Sequence, residues 1–552
     1  MDRRVAHPVH LSRGRIGRRK RGVTLSLLAL LPVCFLAVFF AWPVVAIVRL
    51  GFGAGAVADT LARSETWQLA AFTVGQAAAS TVLAVLAGMP LAFLLSRVRL
   101  PGVGLVRTLV LIPFVLPTVV VGIAFKSLWP DGGVVTIVLA NAFFNVAVVA
   151  RTVAGLWGNI DQRAEDAARS LGASRWRAFR SVTLPALLPA VASAAAVVFL
   201  FCATSFGVVL VLGGTQYRTL ETEIYLRTVN LLDLSGAAAL SLVQLAAVLA
   251  AVALGALARR RRDRAPRLRA AAVQRHRPQG AQWVPVVAGI AVVGLLLTPI
   301  VALVLRSLSG ADGVTLAGYR ALAGNGEGAL SVTGWDAALN SLRTATDATV
   351  LAVTIGVIAA VVLVALRRST GSLPRVMGET LDAALMIPLG VSAVTVGFGY
   401  LVTLDVLPGE LRTSPVLVPF AQALVIIPVV VRIVLPVLRS VDQRQRQAAA
   451  TLGAGPLRVW WEVDLAVTAR SLLAAVGFGY VVALGEFGAT SFLARPDSPT
   501  LPVAVAELIS KPGDLNQHMA YAACTLLMVV TAVVVAGIDR LMRVEQNSMG
   551  VF

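Results

Sequence analysis

The side chains that could support phosphate or metal chemistry are few and widely separated in this chain. A phosphate-binding loop of the Walker A type needs Gly-x-x-x-x-Gly-Lys and then Ser or Thr, so that backbone amides and the Lys surround the phosphates. None of the lysines follows a glycine, and the 4 histidines form no His-Glu-x-x-His pattern. We therefore expect no catalytic residue, no metal site and no cofactor in this chain. The residues concerned are Lys20, Lys126, Lys511, His7, His10, His276 and His518.

Glu486 is a different kind of candidate, because it stands near the end of a long apolar segment, in VVALGEFGATSF. If that segment spans a membrane, an uncompensated charge within it costs about 2.5–3.5 kcal/mol, and such a residue is a candidate for a translocation pathway. The alternative is a carboxylate at the wet outer end of the span that is simply solvated.

The composition predicts the elements that must position these residues. Apolar residues make up 57% of the 552, with 47 glycines in addition, whereas charged residues make up only 14%. The apolar residues gather into runs of about 20 or more, the length of a helix that crosses a bilayer. The sequence predicts an all-α integral membrane protein with about 12 transmembrane helices, and too little further chain for a fused catalytic domain.

The formal net charge of +20 has a membrane explanation. Most of the Lys and Arg residues fall in segments on one side of the predicted spans, as the positive-inside rule requires of the cytoplasmic side. This arrangement predicts both termini in the cytoplasm, and it argues against a nucleic-acid partner, which would need the basic residues on one folded face.

The predicted spans form two sets of six, separated by a basic, Pro-containing segment. We divide the chain into a basic cytoplasmic tail (1–22), a first repeat (23–258), a cytoplasmic linker (259–281) and a second repeat (282–552). The predicted spans lie near 24–48, 68–96, 105–129, 133–156, 186–213 and 235–258, and near 283–307, 337–366, 378–405, 413–438, 467–493 and 516–540.

The two halves are copies of each other. Residues 161–185 and 442–466 are identical at 11 of 25 positions at a constant offset of 281. An even number of spans per copy makes the repeats parallel, with a pseudo-two-fold axis along the membrane normal. The repeat matches Ser205-Phe206 with Glu486-Phe487, and Pro113 with Pro388 at an offset of 275. These six residues are our candidates for the translocation pathway, the prolines because they can kink helices around it.

A polar loop between the fourth and fifth span of each half carries the strongest repeat. Asp161 can cap a short helix that Gly172 ends, and Ser174 can cap a second one before Pro185 stops the chain. Asp442 and Gly453 repeat the plan. Exposed alanines between arginines suit close approach by another protein, so we interpret the loop as a docking element. The alternative is an amphipathic helix lying on the lipid headgroups.

This loop resembles the EAA motif of ABC importer permeases, in which the motif helix inserts into the cytoplasmic ATPase subunit. The second copy departs from the motif, since it lacks both the acidic residue and the proline. The matching residues are Asp166, Ala167, Ala168, Gly172, Leu184 and Pro185 in the first copy, and Gln447, Ala448, Ala449, Gly453 and Leu465 in the second.

The fused arrangement of two six-span halves resembles the thiamine and ferric iron permeases, with Gly485-Glu486-Phe487-Gly488 and Thr219-Leu220-Glu221 closest to the thiamine branch. The resemblance implies a bacterial plasma (inner) membrane location, a homodimeric cytoplasmic ATPase that holds Mg-ATP, and an extracytoplasmic solute-binding protein. A gradient-driven secondary transporter with two parallel six-helix halves remains the alternative.

Overall fold

The computed structural model describes residues 27–214, 216–260, 275–310, 313–368, 371–404, 409–412 and 414–548. The predicted basic tail (1–22) and the middle of the predicted linker lie outside these ranges.

Two sets of nine main helices form most of the described chain. The first set is α1 (Leu27–Phe52), α2 (Ser64–Arg97), α3 (Val103–Val115), α4 (Thr118–Leu128), α5 (Val134–Trp157), α6 (Gln162–Ser170), α7 (Arg175–Ala203), α8 (Leu220–Val229) and α9 (Leu234–Arg260). The second set is α10 (Gly280–Ser307), α11 (Gly334–Arg368), α12 (Ser372–Gly390), α13 (Ala393–Thr403), α14 (Leu417–Ser440), α15 (Gln443–Thr451), α16 (Pro456–Gly485), α17 (Leu501–Ser510) and α18 (Asp514–Ser548).

Shorter pieces join the main helices, including the helices Gly207–Leu212 and Thr490–Leu493. Strand β1 (Ser309–Gly310) pairs antiparallel with β2 (Gly313–Val314) in a small hairpin, with Ser309 opposite Val314. In the described part of the chain, 10 helices are long and apolar enough to cross a membrane, or up to 12 if each of two bent pairs is one span. The predicted all-α fold is confirmed.

The third span of each half is bent, which corrects the prediction of continuous helices over 105–129 and 378–405. The arms α3 and α4 meet at 101°, and α12 and α13 meet at 98°. Pro117 begins the second arm of the first pair, where its missing N–H would break a continuous helix. Ser392 stands at the same place in the second pair and caps α13 by accepting a hydrogen bond from the Val394 N–H at 3.1 Å.

The fifth and eleventh spans end earlier than predicted. Helix α7 ends at Ala203 and α16 ends at Gly485, rather than near 213 and 493. In each half the chain then turns, at 204–206 and 486–489, before it enters a short helix. Hydropathy does not distinguish the turn from the helix, because the turn residues are themselves mostly apolar.

The repeat is visible in the packing contacts as well as in the sequence. A Cβ placed on Gly88 would lie 2.7 Å from the Val149 Cβ, and a Cβ on Gly356 would lie 2.7 Å from Val430 Cγ1. Each pair joins the second span of its half to the fourth. Glycine lets these helices approach closely. Close packing of this kind drives helix association in a membrane, because the hydrophobic effect does not operate between helices in lipid.

A polar contact repeats in the same way. The Leu220 N–H donates to Thr73 Oγ1 at 3.1 Å, and the Leu501 N–H donates to Ser341 Oγ at 2.6 Å. Both bonds tie the start of the helix that follows the chain turn, α8 or α17, to the second span of the same half. Leu220 and Leu501 correspond at the offset of 281, and Thr73 and Ser341 correspond at an offset of 268. The same contact therefore forms in both halves although the two offsets differ by 13 residues.

The first span of each half packs against the opposite half. In α1, the Phe39 ring stacks on Phe420 of α14 with centroids 4.6 Å apart, and on Tyr400 of α13 at 6.1 Å. In α10, a Cβ on Gly289 would lie 3.2 Å from the Pro90 carbonyl oxygen of α2. The two halves are therefore interlocked rather than placed side by side.

Two glycines of α2 test the role of close packing. Gly88→Ala should lower the apparent free energy of unfolding by about 1–3 kcal/mol, because the new methyl group overlaps Val149. Gly75→Ala is the matched control, since nothing lies within 4 Å of its Cβ position; it should be neutral or stabilise the helix by up to about 1 kcal/mol. Thermal unfolding followed by size-exclusion chromatography in detergent measures both. Equal midpoints for the two variants would contradict the packing role.

Candidate coupling loops and translocation pathway

The first candidate coupling loop is a helix, a turn and a second helix. The Asp161 side chain accepts the Arg163 N–H at 3.0 Å and caps α6. Gly172 ends the helix with φ +89°, a conformation that costs a side chain about 1–2 kcal/mol. Ser174 then caps α7 by accepting the Arg177 N–H at 3.3 Å. The predicted caps and turn are confirmed here.

The second loop has the same construction at an offset of 281. Asp442 accepts the Arg444 N–H at 2.9 Å and caps α15, and Gly453 ends that helix with φ +88°. Pro456 begins α16, where its missing N–H is tolerated. The two loops are thus alike in backbone although the second has lost the acidic residue and the Leu-Pro.

Each loop exposes its motif residues in the same pattern. The first and second residues of the motif are exposed, the third is half-buried, and the leucine near the start of the following span is half-buried. Asp166 lies 3.7 Å from Arg169 in an exposed ion pair. These positions are Asp166, Ala167, Ala168 and Leu184 in the first loop, and Gln447, Ala448, Ala449 and Leu465 in the second.

A leucine at the tip of each loop faces outward. Leu171 is 90% exposed and Leu452 is 88% exposed, and they occupy equivalent positions immediately before the terminating glycines. Leucines this exposed at two matched sites form apolar contact points that the single chain leaves uncovered. The same apolar point is therefore exposed on both loops.

The two loops differ in the contact that anchors each to its span. Glu165 accepts a hydrogen bond from Thr183 Oγ1 at 2.8 Å in the first loop. At the equivalent positions of the second loop, Arg446 Nε donates to Asp464 Oδ1 at 2.7 Å. The two loops are thus anchored at equivalent positions, by a hydrogen bond between a hydroxyl and a carboxylate in the first loop and by an ion pair in the second.

Pro185 does not stop the chain, which corrects its predicted role. The helical backbone runs on from Arg175 to Ala203, with a wider π-helical turn at Phe179–Thr183 immediately before the proline. Pro185 lies in the first turn of the α-helix that follows, where its missing N–H is tolerated. The second half has the same wide turn at Trp460–Leu465 without a proline.

The pathway candidates Phe206 and Phe487 meet between the two halves. Their rings stack with centroids 5.2 Å apart and an interplanar angle of 16°, and both are buried. Tyr225 packs on Phe206 at 5.2 Å and on Phe492 at 5.4 Å. The turns that end α7 and α16 thus bring equivalent phenylalanines of the two halves into contact.

Glu486 is buried rather than solvated, with 8% of its surface exposed. Its carboxylate accepts the Ala489 N–H at 2.8 Å and the Thr490 N–H at 3.0 Å, and it also accepts the Thr490 hydroxyl. Gln422 Nε2 donates to that hydroxyl at 3.2 Å. The carboxylate therefore accepts hydrogen bonds from backbone N–H groups at the start of the short helix Thr490–Leu493. All of its partners are neutral.

The equivalent network in the first half is uncharged. Ser205 Oγ donates to Asn141 Oδ1 at 2.7 Å, and Asn141 Nδ2 donates to Gln76 Oε1 at 2.9 Å. Asn141 and Gln422 correspond at the offset of 281, so both networks join the fourth span to the turn. The structure thus places Ser205 and Glu486 at matching positions of the two halves.

Pro113 and Pro388 lie just before the bends rather than at them. Both side chains are buried, in the last turns of α3 and α12, and the change of direction follows four residues later. Whether either proline lines the pathway stays a prediction.

Glu221 is a further candidate that the sequence pattern did not single out. Its carboxylate is completely buried; it accepts a hydrogen bond from Ser392 Oγ of the other half at 2.6 Å and one from Gln244. The bond ties α8 to the N-terminus of α13, at the bend of the ninth predicted span. The one sequence feature that could have indicated its role is its position, as an acidic residue that follows an apolar segment. Among the described residues, no three His, Cys, Asp or Glu side chains come together as a metal site would require.

Comparison with known proteins agrees with this arrangement. Residues 80–263 match the family model described as binding-protein-dependent transport system inner membrane component. The molybdenum transport system permease protein ModB of Mycobacterium tuberculosis (strain H37Rv) is 36% identical over 249 residues, which cover 42% of this chain and 92% of that protein. The chain belongs to this family of inner membrane permeases.

Other permeases of the family align over most of the chain. The thiamine transport system permease protein ThiP of Escherichia coli (strain K12) is 26% identical over 495 residues, covering 85% of this chain and 89% of that protein. The ThiP of Salmonella typhimurium (strain LT2) is 28% identical over 470 residues, covering 80% and 83%. The chain is thus the multi-pass inner membrane component of a binding-protein-dependent importer, and its relatives are transport permeases rather than enzymes.

Glu486→Gln and Thr490→Val separate charge from capping. We expect Glu486→Gln to lower the uptake of a cationic cargo about tenfold, as it would if the charge contributes about 1.4 kcal/mol to the rate-limiting state. Thr490→Val keeps the charge and both backbone N–H donors, and should lower uptake less than twofold. ATP-driven uptake, normalised to protein in the membrane, is the measurement. Equal losses would identify Glu486 as a structural cap only.

Proposed function

We propose that this chain is the membrane-spanning subunit of a thiamine importer. Two thiamine permeases align over 80% or more of this chain, through both halves, whereas the molybdenum permease aligns with 42% of it. Length and two-half organisation thus favour the thiamine relatives as the functional guide. Phosphonates, spermidine-like cations and ferric iron are the other cargoes that the experiment below distinguishes.

The matched, exposed coupling loops are the observation that supports ATP-driven function. We propose that each docks on one subunit of a homodimeric cytoplasmic ATPase, with Leu171 and Leu452 at the contacts, so that Mg-ATP is bound by the partner and not by this chain. Closure of the ATPase dimer draws the loops together and tilts the halves about their shared axis. Both termini lie on the ATPase side in this arrangement.

The stack of Phe206 on Phe487 acts in this proposal as the closed gate. A binding protein delivers its solute from the other side of the membrane, and the halves separate at the stack to admit it. When the ATPase opens again, the stack re-forms behind the solute. Because each half contributes one phenylalanine, the gate opens and closes as the halves move. Movement of the coupling loops is thus transmitted to the gate by the halves themselves.

Reconstituted uptake tests the cargo and the energy source together. The chain, its cognate ATPase and its binding protein are placed in proteoliposomes, and radiolabelled thiamine uptake is followed with competing unlabelled thiamine, spermidine, phosphonate, molybdate or ferric citrate. We expect ATP-dependent uptake that only thiamine competes away. Competition by another solute would replace the cargo, whereas uptake that follows an ion gradient after ATP depletion would overturn the importer assignment.

The terminating glycine of the first loop tests docking. Gly172→Trp should abolish uptake while leaving membrane insertion intact, because φ +89° is costly for a side chain although no atom lies within 4 Å of the new Cβ. Gly172→Asn is the matched control, since Asn tolerates this conformation better, and it should retain more uptake than Gly172→Trp. Transport and co-purification of the ATPase are measured for both. Wild-type uptake by Gly172→Trp would count against docking through this loop.

The two loops should differ in sensitivity. The first keeps the acidic residue and the Leu-Pro, so we expect Ala168→Trp to release the ATPase more completely than Ala449→Trp. Both alanines are half-buried at the same motif position, which matches the two substitutions sterically. Co-purification of the ATPase with each variant is quantified. Equal losses at the two positions would refute the asymmetry.

A further inference from the structure

A cavity of about 540 Å³ lies beside the first coupling loop. It is bordered by the last turns of α2 and α5, the first turn of α10, and the loop helices α6 and α7. Because α2 and α5 end here and α10 begins here, the cavity sits where the spans leave the membrane. Val284, one of its lining residues, is 71% exposed.

The walls of the cavity divide into an apolar part and a basic part. Met89, Phe93 and Val284 form the part that belongs to the spans. Arg169 and Arg175 come from the coupling loop and form the other part. An amphipathic cavity of this kind, with arginines at the membrane boundary, suits a molecule that has an anionic head and an apolar tail.

His276 supplies unused hydrogen-bonding capacity at the basic part. Neither of its ring nitrogens is exposed or has a hydrogen-bond partner, and the side chain lines the cavity. Its backbone is fixed, since its N–H donates to the Arg97 carbonyl at 3.1 Å and its carbonyl accepts the Arg99 N–H at 2.9 Å. Arg175 Nη1 donates to the Gln279 carbonyl at 2.8 Å and holds the same segment against the loop.

The two carboxylates at the cavity are engaged within the loop. Glu165 accepts the Thr183 hydroxyl at 2.8 Å, and Asp166 pairs with Arg169 at 3.7 Å. The lining holds three arginines, Arg97, Arg169 and Arg175, and the two carboxylates of Glu165 and Asp166, so arginine is in excess by one. Trp176, which lines the cavity, is 68% exposed, and Trp283, next to the lining residue Val284, is 46% exposed. Tryptophan is enriched at the level of the lipid headgroups.

We propose that this cavity binds one anionic phospholipid, with its phosphate near Arg169, Arg175 and His276 and an acyl chain along α2 and α10. The phosphate oxygens accept hydrogen bonds from the arginines, and from a ring N–H of His276 once that side chain turns toward the cavity. A free phosphate would leave the apolar part unfilled, which is why we assign a lipid. The bound lipid contacts α6 directly, so it fixes the first coupling loop against the membrane. The second loop has Ala450 and Pro456 where the first has Arg169 and Arg175.

Native mass spectrometry of the purified complex with its ATPase tests the proposal. We expect one dioleoylphosphatidylglycerol to be retained at detergent levels that remove dioleoylphosphatidylcholine. Arg175→Gln should weaken retention about fivefold, the effect of one arginine at a lipid surface. Arg177→Gln is the matched control, because Arg177 is exposed on the same helical turn but does not line the cavity; retention should change less than twofold.

A second variant keeps the test decisive if Arg175→Gln disturbs the loop. His276→Leu preserves the backbone pairing and side-chain size but removes the ring nitrogens, and should also weaken retention. Equal retention in Arg175→Gln and Arg177→Gln, equal binding of the two lipids, or displacement by glycerol phosphate alone would overturn the proposal. So would loss of the lipid when the ATPase assembles, which would assign the cavity to that subunit.

Discussion

The bilayer offers no hydrogen bonds to a backbone, and this constraint explains most of the irregular features of the structure. Two spans bend by about 100°, and two others end in turns before a short helix. Each interruption frees backbone N–H groups that lipid cannot satisfy. The protein supplies the missing partners from side chains: Ser392 at one bend, and the Glu486 carboxylate at one turn. The residues at the breaks themselves, Pro117, Ser205, Ser392 and Glu486, are buried in the protein.

The same constraint places charge and polarity where a transport pathway would need them. Glu486 and Glu221 are both buried, the first at the turn that follows α16 and the second in the first turn of α8. Their hydrogen-bond partners are neutral, so each carboxylate keeps its polarity without an adjacent cation to cancel it. A helix break in the membrane thus supplies backbone donors that can hold a buried acidic group.

The sequence predicted the features that depend on local pattern or on repetition. Asp161, Gly172 and their counterparts were recognisable because a cap and a left-handed glycine have fixed positions in a helix-turn-helix. The correspondence of Ser205 with Glu486 followed from a constant offset. The bends were not predictable from hydropathy, since each bent pair taken together is apolar enough to be one span and a change of direction leaves the average unchanged. Proline was an incomplete guide, because Ser392 breaks the second span where Pro117 breaks the first. The hydrogen bond between Glu221 and Ser392 joins residues 171 positions apart, and no local sequence pattern predicts such a contact.

The packing of α1 against α13 and α14 has a consequence for the order in which the chain is made. Phe39 is synthesised hundreds of residues before Tyr400 and Phe420, the rings on which it stacks. Until those residues leave the ribosome, α1 has neither of these partners, and the part of its surface around Phe39 must rest in lipid or on the insertion machinery. The first half therefore cannot reach its final packing by itself, and the last steps of assembly wait for the fourth span of the second half. Gene fusion of the two halves keeps these distant partners on one chain, at a fixed ratio of one to one.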